Sequence, residues 1–441
     1  MELININREV LRLAIPSILA NITIPLVGIV DTAIAGHISD ASAIGGIAVG
    51  STLFDLLYWN FGFLRVGTAG MTAQAFGRND KKACTQLLAQ SVAISGGAAL
   101  LIWLIQWFFV TAVLYIMPCS EAVADFAKQY FHVRIWAAPA ALSLMAFKGW
   151  FIGMQNTIAP MISDIVVNVV NMIASYTLAV FTPLGAMGVA WGTLIAQYTG
   201  LATVAVILVA RYRTTLKQIF SADFLRECLR WQKMRRLFVL NSNLFIRSLC
   251  FMVVYVGYTA IASHYGDTEL AISSILMKFF MFFSYFVDGF AYAGEALIGR
   301  YGAKQSIGWE KNGIVKQIVI VLFVWAIGIG LQFSLLYGIF RNEFIELMTN
   351  NTDILEAAKS YYIWLVLMPF ISSLAFMWDG IYIGATAAIP VRNCMIWAAI
   401  GFTITYFALQ TSAGTQALYA AYFMHLLIRT VYMTIKWKDI Q

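Results

Sequence analysis

Twelve apolar runs, each about as long as a membrane-spanning helix, dominate this chain of 441 residues. A helix needs roughly 20 apolar residues to cross the hydrocarbon core of a bilayer. The runs lie near residues 10–36, 43–70, 86–116, 124–153, 160–182, 185–210, 238–263, 270–298, 313–340, 358–387, 389–410 and 413–435. They are too long for the strands of a membrane barrel, and they lack its alternation of apolar and polar residues. The sequence therefore predicts an all-α polytopic membrane protein with twelve transmembrane helices.

The charge pattern favours one orientation of these helices. Only 12% of the residues are charged, about half the share that is usual in soluble domains. With the amino terminus inside, twenty Lys and Arg side chains fall on the inner connections, and three, Lys128, Arg341 and Lys359, fall on the outer ones. This is the positive-inside asymmetry, so the net charge of +7 is a topology signal. We expect both termini in the cytoplasm and no nucleic-acid partner.

The histidines and cysteines give no sign of metal or cofactor chemistry. The five cysteines and four histidines are scattered, without the spacing of a metal site. An intramembrane transferase would need clustered acids for Mg²⁺ or a close His–acid pair, and the sequence has neither pattern. We therefore expect no catalytic residue, no structural metal and no cofactor.

Two segments far apart in the chain have nearly the same sequence. Residues 147–153 read FKGWFIG and residues 378–384 read WDGIYIG. A second echo joins TAIAGH at 32–37 to TAIASH at 259–264, at almost the same offset. Echoes in the same order indicate a duplicated unit of about half the chain, and duplicated halves in so apolar a chain are typical of transporters.

The duplication predicts two lobes of six helices each, related by a pseudo-twofold axis along the membrane normal. We expect an N-lobe over residues 1–210, a basic cytoplasmic linker over 211–236 and a C-lobe over 237–441. The apolar spacing in the linker suits an amphipathic helix lying on the inner leaflet. The alternative is a plain basic linker that only enforces the topology.

Ionisable residues inside the predicted helices are functional candidates, because charge in hydrocarbon is costly. These candidates are Asp31, Asp55, Arg65, Lys148, Asp164, Arg247, Lys278, Asp288, Glu295 and Asp379. Three of them, Asp164, Lys278 and Glu295, lie near helix ends, where the charge could reach the interface.

Asp31 is the strongest candidate for binding a coupling ion. It lies in a first span that contains Pro16 and Pro25, each of which removes a backbone hydrogen bond and can act as a hinge. A carboxylate in apolar surroundings could exchange a proton or hold a cation. The alternative is a structural ion pair with a cation such as Arg65.

Neutral oxygens on the fifth and sixth spans could complete a cation site around Asp31. Asn168, Asn171 and Ser175 share a face of the fifth span, and Thr193 lies in the sixth. The alternative is that these side chains simply join helices, as asparagine and threonine often do in membranes.

The second half contains candidates for a substrate cavity. Asp288 lies among aromatic residues that include Tyr285 and Tyr292, and rings beside a carboxylate suit an organic cation. Many of these rings must instead face lipid or core, since they cannot share one helix face. Arg65, Arg247 and Asp379 complete the predicted cavity.

Asp379 occupies the repeat position of Lys148, so the two charges could meet across the axis as a latch between the lobes. The alternative is that each finds a partner within its own half.

Six segments together resemble the multidrug and toxic compound extrusion (MATE) family, and its DinF branch most closely. They are residues 25–36, 63–77, 153–171, 188–193, 288–295 and 379–386. The resemblance implies twelve helices in two lobes that form a V. It also implies drug efflux driven by inward flow of Na⁺ or H⁺, in the inner membrane of a bacterium.

The resemblance also assigns roles to single residues. Asp31 matches the carboxylate of the family's N-lobe cation site, and Asn171 and Thr193 match its oxygen ligands. Ser175 departs from the pattern, because the family often has aspartate there, so the matched site of this chain keeps one carboxylate instead of two. Asp379 matches a tenth-helix carboxylate of another branch, but its glutamate partner on the seventh helix has no match here.

We therefore predict a secondary antiporter that exports amphipathic, often cationic, organic compounds, acts as a monomer in the bilayer and carries H⁺ or Na⁺ as its coupling ion. The rival of the same architecture is a lipid-linked precursor flippase, which tends to have a strongly cationic cavity. The rival from another class is the intramembrane transferase.

Overall fold

The computed structural model of the chain describes residues 2–38, 41–116, 119–219, 221–303, 313–349 and 351–439. Within these ranges the chain forms helices and short connections, without a β-strand. Its eighteen α-helices are α1 (Glu2–Ile38), α2 (Ala41–Trp59), α3 (Phe63–Gly77), α4 (Lys81–Ile116), α5 (Glu121–Arg134), α6 (Ala138–Gly153), α7 (Ile158–Phe181), α8 (Gly188–Arg211), α9 (Arg213–Ile219), α10 (Ala222–Cys228), α11 (Trp231–His264), α12 (Asp267–Gly302), α13 (Gly313–Ile339), α14 (Arg341–Met348), α15 (Thr352–Ala358), α16 (Tyr362–Gly384), α17 (Ala388–Ala413) and α18 (Gln416–Lys436).

Twelve segments of the described chain are long and apolar enough to cross a membrane. Some of them contain two helices: the second, Gly45–Gly77, runs through α2 and α3, and the fourth, Glu121–Gly153, runs through α5 and α6. The expected twelve-helix membrane protein is confirmed.

Contacts divide the chain into two compact units. The N-terminal unit is Leu19–Asn241, and the C-terminal unit is Ser242–Gln441 together with Met1–Ile18. The first 18 residues therefore belong to the same unit as the second half of the chain. This differs from the prediction, which placed them in an N-lobe of residues 1–210.

Contacts within the C-terminal unit explain why the start of α1 belongs there. A Cβ atom on Gly289 of α12 would lie 2.4 Å from the Cγ1 atom of Ile18, so the two helices touch closely at this point. Nearer the end of α12, the hydroxyl of Tyr301 donates a hydrogen bond of 2.9 Å to Glu9.

The repeated sequence motif places a glycine where two helices of one unit meet. In the N-terminal unit, a Cβ atom on Gly149 of α6 would lie 2.2 Å from the carbonyl oxygen of Arg65 in α3. In the C-terminal unit, a Cβ atom on Gly380 of α16 would lie 2.4 Å from the carbonyl oxygen of Ala291 in α12. Small residues let membrane helices approach this closely. The motif therefore encodes the same helix contact twice, once in each unit.

The linker between the halves forms two short helices, α9 and α10, before α11 begins at Trp231. The side-chain amide of Gln90 in α4 donates a hydrogen bond of 2.9 Å to the carbonyl oxygen of Cys228, which holds α10 against α4. The linker thus contains two short helices, of which α10 packs on the protein, and its position on the inner leaflet stays a prediction. Beside this contact, Lys233 hydrogen-bonds to Glu227 and lowers the pKa of that carboxyl group.

Candidate functional site

A buried polar pair joins α7 to α8 in the N-terminal unit. The Nδ2 atom of Asn171 donates a hydrogen bond of 2.9 Å to the Oγ1 atom of Thr193. Thr193 in turn donates to the carbonyl oxygen of Val189, 3.0 Å away. Asn171 is only 3% exposed, and its Oδ1 atom has no hydrogen-bond partner among the described residues. The pair therefore leaves one buried amide oxygen free to accept.

Close packing of α7 and α8 produces this arrangement. A Cβ atom on Gly192 would lie 2.5 Å from the backbone nitrogen of Ser175, so only glycine fits between the helices. Ser175 is fully buried at this contact, and its hydroxyl donates a long hydrogen bond of 3.5 Å to the carbonyl oxygen of Val189. Ser175 therefore faces the contact between α7 and α8.

Asn168 joins the same face of α7 to the first helix. Its Nδ2 atom donates to the hydroxyl of Thr23, which in turn donates to the carbonyl oxygen of Ala20 at 2.6 Å. The predicted set of neutral side chains thus holds α7 between α8 and α1.

Asp31 is half-buried in the last third of α1, and its Oδ1 atom is buried without a hydrogen-bond partner among the described residues. The cation whose charge acts on it, and on Asp55 of α2, is Arg134 at the end of α5. The Nη1 atom of Arg134 donates to the hydroxyl of Tyr130 at 3.2 Å, and its guanidinium carbon lies 4.6 Å from the ring centre of Phe54. Arg134 is thus held by Tyr130 and Phe54, and its charge acts on both carboxylates.

Arg134 is not among the residues predicted from the sequence, although it lies inside the fourth apolar run. Its position at the junction of α5 with the turn before α6 makes it resemble a helix-end residue. None of the hydrogen bonds between described residues joins Asp31 to Asn171 or Thr193. The structure thus brings Asn171 and Thr193 together and places Asp31 near Arg134.

In the C-terminal unit, Asp379 lies in a buried ion-pair cluster. Its Oδ2 atom is 2.7 Å from the Nη2 atom of Arg247 in α11 and 2.6 Å from the Nη2 atom of Arg429 in α18. Asp379 is 6% exposed and Arg429 is 1% exposed. Arg429 is likewise absent from the residues predicted from the sequence, although it is an ionisable residue inside the twelfth apolar run.

Lys148 and Asp379 each have a partner within their own unit. The ammonium group of Lys148 lies 2.6 Å from the Oδ2 atom of Asp164 in the N-terminal unit. This observation fits the alternative to the latch, because both charges are engaged separately.

Tyr285, Asp288 and Tyr292 lie on one face of α12, at positions i, i+3 and i+7, and all three are half-buried. Most of the aromatic residues around them belong to the hydrophobic core of this unit, including the buried rings of Phe280 and Phe283. Arg65 is half-buried in α3 of the other unit. The substrate-binding roles of these residues, and of Arg247 and Asp379, stay predictions.

Comparison with known proteins agrees with this fold. The family model MatE matches residues 16–177 and 244–423. The chain is 34% identical over 434 residues to DNA damage-inducible protein F of Escherichia coli. The aligned region covers 97% of this chain and 91% of that protein. It is 22% identical over 378 residues to the probable multidrug resistance protein NorM of Bacillus cereus, over 83% of this chain and 80% of that protein.

Among solved structures, a mutant of the Vibrio cholerae MATE transporter VcmN matches with a TM-score of 0.87. The match covers 99% of this chain and 97% of that chain, at 16% sequence identity, so it concerns the fold. The family resemblance inferred from the sequence motifs is confirmed.

Proposed function

Because this chain belongs to the MatE family, whose members are transporters rather than enzymes, we propose that it is a secondary active exporter of amphipathic, often cationic, organic compounds. Inward flow of H⁺ or Na⁺ drives the export, and the two units alternate in access to the two sides of the membrane. The protein works as a monomer in the inner membrane of a bacterium. The membership excludes the transferase alternative.

The observation that carries the coupling proposal is a pair of buried acceptor oxygens in the N-terminal unit. The Oδ1 atoms of Asp31 and Asn171 both lack a hydrogen-bond partner among the described residues. A buried acceptor without a partner costs about 1–3 kcal/mol, and more when it is charged. A proton or a cation bound at Asp31 removes that cost at the carboxylate, and a cation bound at Asn171 removes it at the amide oxygen. The site therefore takes up a coupling cation.

Arg134 gives this site a second state. When Asp31 is ionised, the positive charge of Arg134 balances it, whereas cation binding at Asp31 leaves Arg134 to be balanced by Asp55 or water. A ligand shifts a conformational equilibrium only by its differential affinity for the two states. The change in charge balance provides such a difference, because it favours different helix positions in the two states.

The first helix transmits this change. It runs continuously from Glu2 to Ile38 through Pro16 and Pro25, and the division between the two compact units falls at Ile18, between those prolines. Each proline removes one backbone hydrogen bond, so bending costs least there. Asp31 lies beyond the second proline, on the segment that belongs to the N-terminal unit.

Substrate binds at the face of α12 that carries Tyr285, Asp288 and Tyr292. A carboxylate supplies attraction for a cationic drug, and the tyrosine rings supply cation–π contact and apolar area. This chemistry predicts a preference for amphipathic cations over neutral compounds.

Dye efflux from proteoliposomes, with the pH and Na⁺ gradients imposed separately, tests the proposal. One of the two gradients should drive dye against its concentration, and Asp31→Asn should abolish that movement. The matched control is Asp125→Asn, an exposed carboxylate of the same unit that pairs with Lys128 at 3.3 Å. Efflux that responds to neither gradient would contradict secondary antiport.

A further inference from the structure

Two arginines share one carboxylate oxygen in the interior of the C-terminal unit. The Nη2 atoms of Arg247 and Arg429 lie 2.7 and 2.6 Å from the same atom, Oδ2 of Asp379. These side chains come from α11, α18 and α16, so the cluster joins three helices.

The cluster contains more positive than negative charge. Two guanidinium groups, which stay protonated in proteins, face one carboxylate. The charges that act on Asp379 are those of Arg247 and Arg429. An uncompensated charge in a low-dielectric interior costs several kcal/mol even after relaxation. The C-terminal unit therefore has reason to bind a balancing anion at this place.

The equivalent position in the other unit carries the opposite charge. Lys148, which matches Asp379 in the repeat, lies with its Nζ atom 2.6 Å from the Oδ2 atom of Asp164. The repeated motif therefore does not by itself encode two arginines around one carboxylate.

Several donors of the cluster are buried without an acceptor. The Nε and Nη1 atoms of Arg429 and the Nε atom of Arg247 have no hydrogen-bond partner among the described residues. The ring of Phe376, with its centre 5.2 Å from the guanidinium carbon of Arg429, covers that group with an apolar surface. Buried donors in native proteins are almost always paired, with protein, water or an ion. These nitrogens therefore require an acceptor that the side chains around them do not supply.

We propose that the Arg247–Asp379–Arg429 cluster binds a small monovalent anion of the halide type, with chloride as the physiological ligand. The anion accepts from the free guanidinium nitrogens and balances the surplus charge. Arg429 is 1% exposed and Asp379 is 6% exposed, so the side of the cluster around Arg429 is closed and suits a single-atom anion better than a carboxylate compound. The Oδ1 atom of Asp379, which has no partner among the described residues, accepts a hydrogen bond from a water molecule that accompanies the anion.

Thermal unfolding of the purified full-length protein in detergent tests the proposal. Tm is measured while sodium chloride replaces sodium gluconate at constant ionic strength. A ligand that binds the folded state raises Tm in a saturable way, here by on the order of 2 °C or more at saturation. Bromide should replace chloride.

Two substitutions in the cluster should act in opposite directions. Arg247→Gln removes the surplus cation and should abolish the chloride response. Asp379→Asn removes the competing anion and should lower the chloride concentration at half-maximal effect about tenfold. Arg392→Gln is the matched control, because Arg392 belongs to the same unit and donates to the neutral Oδ1 atom of Asn243 at 2.7 Å. It should respond like the wild type.

A general salt effect would give all four proteins the same response, and that outcome would overturn the proposal. If the cluster variants do not fold, crystals of the wild type soaked in bromide show whether an anion binds at the cluster. An anomalous difference peak beside the Arg429 guanidinium supports the site, and its absence at saturating bromide refutes it.

Discussion

The side-chain amide of Asn171 donates to the hydroxyl of Thr193 over 2.9 Å, which fixes the amide with its oxygen pointing away from that bond. The oxygen stays buried and without a partner among the described residues. This contact is the most direct structural support for a cation site in the N-terminal unit, because it presents an oriented acceptor beside α8.

Replacing Thr193 by valine should weaken coupling without unfolding the protein. The change removes the acceptor that orients Asn171, at a cost of about 1 kcal/mol, and the amide is then free to rotate. The concentration of coupling ion needed for half-maximal dye efflux should rise about fivefold to tenfold.

Thr199→Val is the matched control for this change. Thr199 lies on the same helix and donates to the carbonyl oxygen of Ile195 at 2.8 Å, as Thr193 does to that of Val189, but it is only half-buried. An equal loss of coupling in both variants would mean that the effect comes from the helix and not from Asn171.

Alanine at either repeated glycine should destabilise the protein. At Gly149 and Gly380 the added Cβ atom would lie 2.2 and 2.4 Å from a backbone oxygen of the neighbouring helix, so the helices must separate. We expect a loss of about 2 kcal/mol or more, measured as a lower Tm of the purified protein.

Gly97→Ala provides the comparison, because no heavy atom lies within 4 Å of a Cβ atom at that site in α4. Alanine is more favourable than glycine in a helix by about 0.5–1 kcal/mol, so Tm should stay the same or rise. A loss at Gly97 as large as that at Gly149 would contradict the close-contact interpretation of the motif.

Asp288→Asn should discriminate between substrates by their charge. If the face of α12 with Tyr285 and Tyr292 binds drugs, loss of the carboxylate should weaken transport of cationic dyes about tenfold more than transport of neutral ones. The ratio of the two KM changes is the measurement. A ratio near one, with normal expression, would move substrate binding away from Asp288.

Labelling from outside should test the topology. Cys119 is exposed and belongs to a predicted outer connection, so a membrane-impermeant thiol reagent should modify it in intact cells. A cysteine placed at the exposed linker residue Ser221 should react only after the membrane is permeabilised. Labelling of that cysteine in intact cells would contradict the predicted orientation.

Features that depend on spacing along the chain could be predicted from the sequence, and features that depend on helix rotation could not. The twelve spans follow from apolar length, and the repeated FKGWFIG and WDGIYIG segments mark contacts that recur as Gly149 against Arg65 and Gly380 against Ala291. Charge partners depend on which helix faces turn toward each other. The pairing of Asp379 with Arg429 therefore emerged only from the packed helices.

The same limit explains the linker and the first helix. The apolar spacing of the linker indicates a helix, but it does not reveal that the carbonyl oxygen of Cys228 accepts a hydrogen bond from Gln90 of α4. The assignment of Met1–Ile18 to the C-terminal unit rests on its contact with Gly289, which no local pattern predicts.

Gradient-driven export by Asp31→Asn tests the central claim most directly. In proteoliposomes with an imposed pH or Na⁺ gradient, the variant should bind dye with wild-type affinity but fail to move it against its concentration. The amide cannot release a proton or attract a cation as the carboxylate does, so it holds the protein in one charge state. Active efflux at the wild-type rate by Asp31→Asn would contradict the account and move coupling to another carboxylate.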